Sequence, residues 1–276
     1  MLNTIQSLLD EAQLLEDFKD IPLSIINKIH ITIFDIKNDF ESSIVPVANQ
    51  NSIHFELYIN QNHVNILQNK NSQEYEISKS VLMHELYHLK EFCTTSSIIP
   101  LMDIYKIQKD CTRSLLLNFG YLQWTEYYAH YNSSKFYVPE SCDINEICKL
   151  SKDVIEVIIK ANDCYDEPFH VTEGLFDGIA CFIKYVIKLS ARYNQSKNKL
   201  QLSVLNDIKN DITYTKHYEY IIDIMSYMEN LYTTYPSWVS EDNFLKIGIK
   251  LFDLIQLYGL TYSTDDLSDN FIFTNK

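Results

Sequence analysis

Apolar and polar positions alternate with a period of two in the first quarter of the chain. In Ile29–Phe34 every second residue is isoleucine, and in the next such stretch Ile53, Phe55, Leu57 and Ile59 share one side. A period of two puts successive side chains on opposite faces, so both stretches read as half-buried strands. Ile44–Val47 reads as a third strand. Pro46 confines it to an edge, because proline has no N–H to give a ladder. Residues 26–60 are therefore predicted to form a small sheet.

Around it the period is helical. Residues 5–18 suggest an amphipathic helix. From about residue 73 onward helices are predicted near 73–92, 100–118, 121–134, 143–162, 170–193, 200–212, 215–232 and 240–258. The segment 68–73 reads as a polar loop, with Asn71 or Ser72 available as a cap and Glu74 and Glu76 suited to the positive end of the helix that follows. Asn194–Lys199 reads as a polar linker, and the tail after Tyr262 is acidic and weakly patterned. The expected fold class is thus α+β and mainly helical, a small N-terminal sheet beside a long helix followed by a helical extension. Residues 1–139 form the expected core and 140–276 the extension, packed on it or continuous with it.

Composition narrows the function. Five glycines and six prolines in 276 residues agree with long helices. A formal net charge of −14 repels phosphate backbones, so nucleic acid is not an expected partner. The first eighteen residues have no basic region and no continuous apolar run, so they do not read as a secretory signal. The most apolar helical stretch, 175–189, carries Asp177, Lys184 and Lys188, so no membrane span is expected. The six cysteines form no C-x-x-C pair, which excludes a zinc ribbon and a thioredoxin-like site. A cytoplasmic protein with reduced thiols is the expectation.

One motif carries chemistry. Residues 81–90 read VLMHELYHLK, which contains H-E-x-x-H. Residues four apart on a helix lie one turn above each other on one face. His84 and His88 can therefore hold one Zn²⁺ at about 2.0–2.1 Å each. Glu85 follows the first ligand and can take the proton of a water activated there, the role of a general base in a metallopeptidase. Leu82, Leu86 and Leu89 form a separate apolar stripe for the core. Tyr87 points off the ligand face and is expected in the core.

Catalytic zinc takes three protein ligands and keeps one position open. The extended pattern with a third histidine is absent, because position 91 is Glu91 and position 94 is Thr94. A glutamate on a following helix is the usual alternative. Glu126 lies 38 residues beyond His88, with small Ala129 nearly one turn later. His130 is its nearest competitor, and Glu91 is too close in sequence to fold back.

These residues, H-E-L-x-H at His84–His88, E-x-x-A at Glu126 and Ala129, and Pro139 thirteen residues after that glutamate, resemble the ImmA/IrrE group of intracellular bacterial metallopeptidases, gluzincin-type zincins. The resemblance covers about residues 26–139. It implies a small sheet over an active-site helix, Glu126 as third zinc ligand, and cytoplasmic protein substrates, helix-turn-helix transcriptional regulators among them. His130 stands where the group often has an acidic residue, and Ser133 where a second alanine is common.

The expected function is zinc-dependent hydrolysis of peptide bonds in an intracellular protein or peptide. Zinc polarises the carbonyl, Glu85 activates the water, and the edge of the Ser52–Asn60 strand pairs with an extended substrate. His170, at a predicted helix start, is a candidate oxyanion or substrate contact, although a capping or surface role fits it too. His54 falls on the polar face of its strand. Two rivals stay open: a zinc-binding regulatory protein on the same fold that hydrolyses nothing, and a helical interaction module in which the motif is accidental.

Overall fold

The computed structural model describes residues 2–13, 15–21, 29–35, 42–49, 52–72, 74–95, 112–136, 168–196, 215–235 and 237–258, together with residues 25, 260–261 and 274–275. The fold is α+β and mainly helical, with a three-stranded N-terminal sheet. The predicted helices at 143–162 and 200–212 lie outside the described residues, as does Pro139. Packing divides the chain into two compact units: Met1–Thr94 with Asn132–Pro139, and Thr95–Tyr131 with Glu140–Lys276.

The first unit opens with α1 (Leu2–Gln13), whose buried face is Ile5, Leu8, Leu9 and Ala12. Those positions repeat at helical spacing, which is why the segment forms a helix and which side it buries. The helix ends sooner than its predicted boundary. A short 3-10 turn at Glu16–Phe18 follows and buries Phe18.

The strands are β1 (Ile29–Phe34), β2 (Ser42–Asn49) and β3 (Ser52–Asn60), in the order β1-β3-β2. β1 runs parallel to β3 and β2 antiparallel to it. Pro46 sits on the edge strand β2, where its missing N–H costs no ladder bond. The central strand is β3, and this corrects one expectation: Ser52–Asn60 has neighbours on both sides and offers no edge to a substrate. Along β3, Phe55, Leu57 and Ile59 are buried, while His54, Glu56 and Tyr58 on the other face are half-buried.

A helix that the strand-and-loop reading omits follows directly, α2 (Gln61–Leu67). The Asn60 side chain caps it by accepting from the N–H of Asn62 at 2.9 Å. His63, Val64 and Leu67 form its buried face. His63 Nδ1 and Ser78 Oγ, 2.9 Å apart, tie α2 to α3 (Tyr75–Thr95). α3 buries Leu82, Leu86 and Leu89 as its stripe predicts, and Phe92 packs edge-on against Phe55 of β3. Tyr87 is in the core as expected. It packs on Phe18 at 4.8 Å and donates its hydroxyl to Asp17 Oδ2 at 2.6 Å. Lys135 reaches the same carboxylate oxygen at 3.1 Å, and Lys90 donates to the Asp17 carbonyl. Burial alone would raise the Asp17 pKa, but the Tyr87 hydrogen bond and Lys135 outweigh it and hold it below its ordinary value.

The second unit contains most of α4 (Thr112–Ser133), with α5 (Pro168–Ser196), α6 (Thr215–Thr234) and α7 (Asp242–Phe252). The two helices predicted at 100–118 and 121–134 are a single helix over their described part, and Gly120 does not break it. A Cβ at Gly120 would lie 1.9 Å from the carbonyl oxygen of Phe244, and one at Gly248 would lie 2.0 Å from that of Leu116. The glycines are contact points where α4 and α7 cross backbone to backbone. Trp124 is fully buried beside Trp238 at 4.6 Å and Tyr235 at 5.0 Å. Asn194, predicted as linker, is a buried residue of α5. It donates to Tyr127 Oη at 2.8 Å and to the Met225 carbonyl at 2.9 Å. A two-residue antiparallel pair, Leu260–Thr261 with Thr274–Asn275, completes the described elements.

Candidate metal centre

The H-E-x-x-H segment lies in the middle of α3, with its first histidine nine residues from the helix start. Buried residues of the 82–92 stretch fix the rotation of α3 about its axis. That rotation leaves His84 and His88 half-buried on a face of their own. Their Nε2 atoms converge to 3.0 Å, with the rings perpendicular and their centroids 4.5 Å apart. Two nitrogens bound to one tetrahedral Zn²⁺ at about 2.0–2.1 Å would stand about 3.3 Å apart. The 3.0 Å contact is of hydrogen-bond length between the two rings, and it holds the nitrogens close to the separation that one zinc would need, so this donor pair fits zinc.

Glu85 is almost fully buried. Its Oε2 accepts a hydrogen bond from the backbone N–H of Ile44 at 2.9 Å. Ile44 is paired with Leu57 across the β2–β3 ladder. An N–H that reaches Glu85 points away from β3, so the outer edge of β2 faces the helix at the level of Glu85. The edge strand beside the motif is thus β2, where the sequence pattern put that edge on β3, and Glu85 occupies its Ile44 N–H.

In the second unit, Glu126 and His130 sit one turn apart on α4, both half-buried, with Oε2 of Glu126 3.5 Å from Nε2 of His130. Ala129 between them is fully buried, as are Tyr127 and, nearly so, Tyr128. Burial of the Tyr127 hydroxyl pushes its pKa far up, so it is a hydrogen-bonding group and not an acid. His170 falls in the first turn of α5, and its side chain is outside the described residues. Cys93, one turn beyond the motif, has its thiol pushed up to about 11 by burial, with the Glu91 charge adding to the effect. A thiol held protonated is a poor metal ligand. Glu91 itself is fully buried.

The sequence pattern missed His30 as a partner of His54. The two rings lie 4.7 Å apart on neighbouring strands. The signal was present, since both fall on the polar side of an alternating strand, but only the strand register brings them together.

No family model, curated protein or solved structure gives a significant match to the chain.

Proposed function

We propose that this chain is a zinc-dependent peptidase, with His84 and His88 as metal ligands, Glu126 as the third ligand and Glu85 as general base. The observation that carries the reading is the convergence of the two ε nitrogens to 3.0 Å on the helix turn that also carries a buried glutamate. A zinc ion held there would polarise a carbonyl and acidify a water at neutral pH.

The protein groups supply the rest. Glu85 is held by the Ile44 N–H at Oε2, and in this reading its carboxylate takes a proton from water and delivers it to the leaving amine. The outer edge of β2 lies beside Glu85, but the Ile44 N–H is committed to that carboxylate and Pro46 has no N–H, so the reading places no strand-paired substrate at that level. Glu126 has His130 at 3.5 Å, the kind of neighbour that orients a ligating carboxylate. The substrate is an intracellular protein or peptide met in the cytoplasm, with transcriptional regulators as the class suggested by the ImmA/IrrE resemblance. No helix among the described residues is long and apolar enough to cross a membrane, which suits a substrate met in solution.

The test is a comparison of wild type with Glu85→Gln, each loaded with zinc and added to a lysate of its host. New protein N-termini generated only by the wild type support the reading. Identical sets of termini from both proteins would leave a zinc-binding protein without hydrolytic activity.

A further inference from the structure

A second cluster of metal-binding side chains lies on the other face of the sheet from the one that packs on α3. Parallel pairing of β1 with β3 places His30 directly opposite Glu56. The period of two on β3 puts His54, Glu56 and Tyr58 on that same face. The His54 Nε2 atom is 3.6 Å from Glu56 Oε1, and the rings of His30 and His54 lie 4.7 Å apart, tilted by 37°. One donor atom from each of His30, His54 and Glu56 lies within 4.8 Å of the other two.

We infer that His30, His54 and Glu56 form a transition-metal site for Zn²⁺ on the outer face of the sheet, separate from the His84–His88 pair. Two imidazoles and one carboxylate make a donor set suited to a borderline dication. A simple ion pair would account for His54 beside Glu56. It does not involve His30, whose ring lies 4.7 Å from that of His54 and brings a third donor to the cluster. The Tyr58 hydroxyl donates to Glu56 Oε2 and leaves Oε1 on the side of His54. A hydrogen bond of this kind orients a ligand carboxylate from outside the coordination sphere. His30 is exposed, and its side chain must turn further toward His54 and Glu56 for the three donors, now within 4.8 Å of one another, to close to ligand spacing. The metal would join the edge strand β1 to the central strand β3, and binding to the folded state would raise the melting temperature.

The experiment is Zn²⁺ titration by calorimetry of wild type, His30→Ala/His54→Ala, His84→Ala/His88→Ala, and Tyr58→Phe, with circular dichroism to confirm folding. The inference expects a Zn²⁺ equivalent that vanishes in His30→Ala/His54→Ala and persists in His84→Ala/His88→Ala. It also expects that equivalent to bind about 10-fold more weakly in Tyr58→Phe, as outer-sphere changes do. The same number of Zn²⁺ equivalents in His30→Ala/His54→Ala as in wild type overturns it. Loss confined to His84→Ala/His88→Ala overturns this inference while leaving the peptidase site intact, and loss confined to His30→Ala/His54→Ala does the reverse. Should His84→Ala/His88→Ala fail to fold, zinc-dependent thermal stabilisation of the wild type, measured against His30→Ala/His54→Ala, decides the matter. Equal stabilisation of the two proteins rejects the site.

Discussion

The backbone N–H of Ile44 donates to Oε2 of Glu85 across 41 residues of chain, at 2.9 Å. This bond couples the edge of the sheet to the proposed general base, and it separates two substitutions that would otherwise look alike. Glu85→Gln keeps an oxygen acceptor for Ile44 and cannot take a proton. It should keep its fold and its zinc while hydrolysis falls by about 10²–10⁴-fold. Glu85→Ala should lose hydrolysis as well, and should also lose about 1–3 kcal/mol of stability, because a part-buried N–H is left without its acceptor. Chemical denaturation of the two variants, alongside turnover of a cleaved protein, checks both halves. Equal stability of the two would mean that the Ile44 bond contributes nothing.

Gly120 and Gly248 mark the crossing of α4 and α7, where an added methyl group would meet backbone. Backbone cannot move aside as a flexible side chain can, so the helices must separate. Gly120→Ala or Gly248→Ala should cost about 3 kcal/mol or more, the upper part of the range for overpacked cores. Leu122→Ala, at a half-exposed position of the same helix, should change stability by less than about 0.5 kcal/mol. Thermal melts of the three variants provide the comparison. Gly120→Ala melting with the wild type would show that the crossing is looser than drawn.

The same crossing explains why one part of the fold was hidden in the sequence. Periodicity identified β1, β3, α3 and the apolar stripe of Leu82, Leu86 and Leu89, because burial on one face leaves a direct imprint on the residue pattern. It could not tell that Gly120 serves a close approach instead of a break, since both uses select the same residue. Asn194 misled for a related reason: a polar residue in a polar run looks like a linker until its two buried acceptors are found. In the candidate site, the spacing of His84, Glu85 and His88 was legible because a single helix sets it. The β2 edge beside Glu85 and the His30–His54 pair were not, because each depends on strand order, a long-range property that local pattern does not encode.

His217 on α6 is fully buried against Phe182 of α5, with ring centroids 5.1 Å apart. Burial pushes its pKa down to about 4 from an ordinary value of 6.5. Between those values the unfolded chain binds a proton that the folded chain does not, so stability must fall as pH drops from 6.5 towards 4. The loss attributable to this residue is about 3 kcal/mol once pH is below both values. His217→Phe keeps the ring and removes the titration. Melting temperature against pH should be flatter for His217→Phe than for wild type over that window, and parallel curves would assign the acid sensitivity elsewhere.

The third zinc ligand decides whether the site is of the gluzincin type. Glu126 and His130 are neighbours on α4, 3.5 Å apart, and each is chemically able to ligate zinc. The ImmA/IrrE resemblance names Glu126, and the roles predict an order of effects. Removing a ligand should weaken zinc by more than about 100-fold, because even outer-sphere partners cost 10–100-fold. Glu126→Ala should therefore be the more damaging change. His130→Ala, which removes only a neighbour of the carboxylate, should stay within the 10–100-fold range. Glu91, three positions beyond His88 and seven beyond His84, shares their side of α3 and is buried, so Glu91→Gln tests it as a rival ligand; unchanged zinc affinity is the expected result. Competition with a chelator of known affinity measures all three, provided that the equivalent lost in His84→Ala/His88→Ala is the one followed. A reversed order, with His130→Ala abolishing zinc and Glu126→Ala tolerated, would make the site a three-histidine centre. The resemblance would then rest on His84, Glu85 and His88 alone.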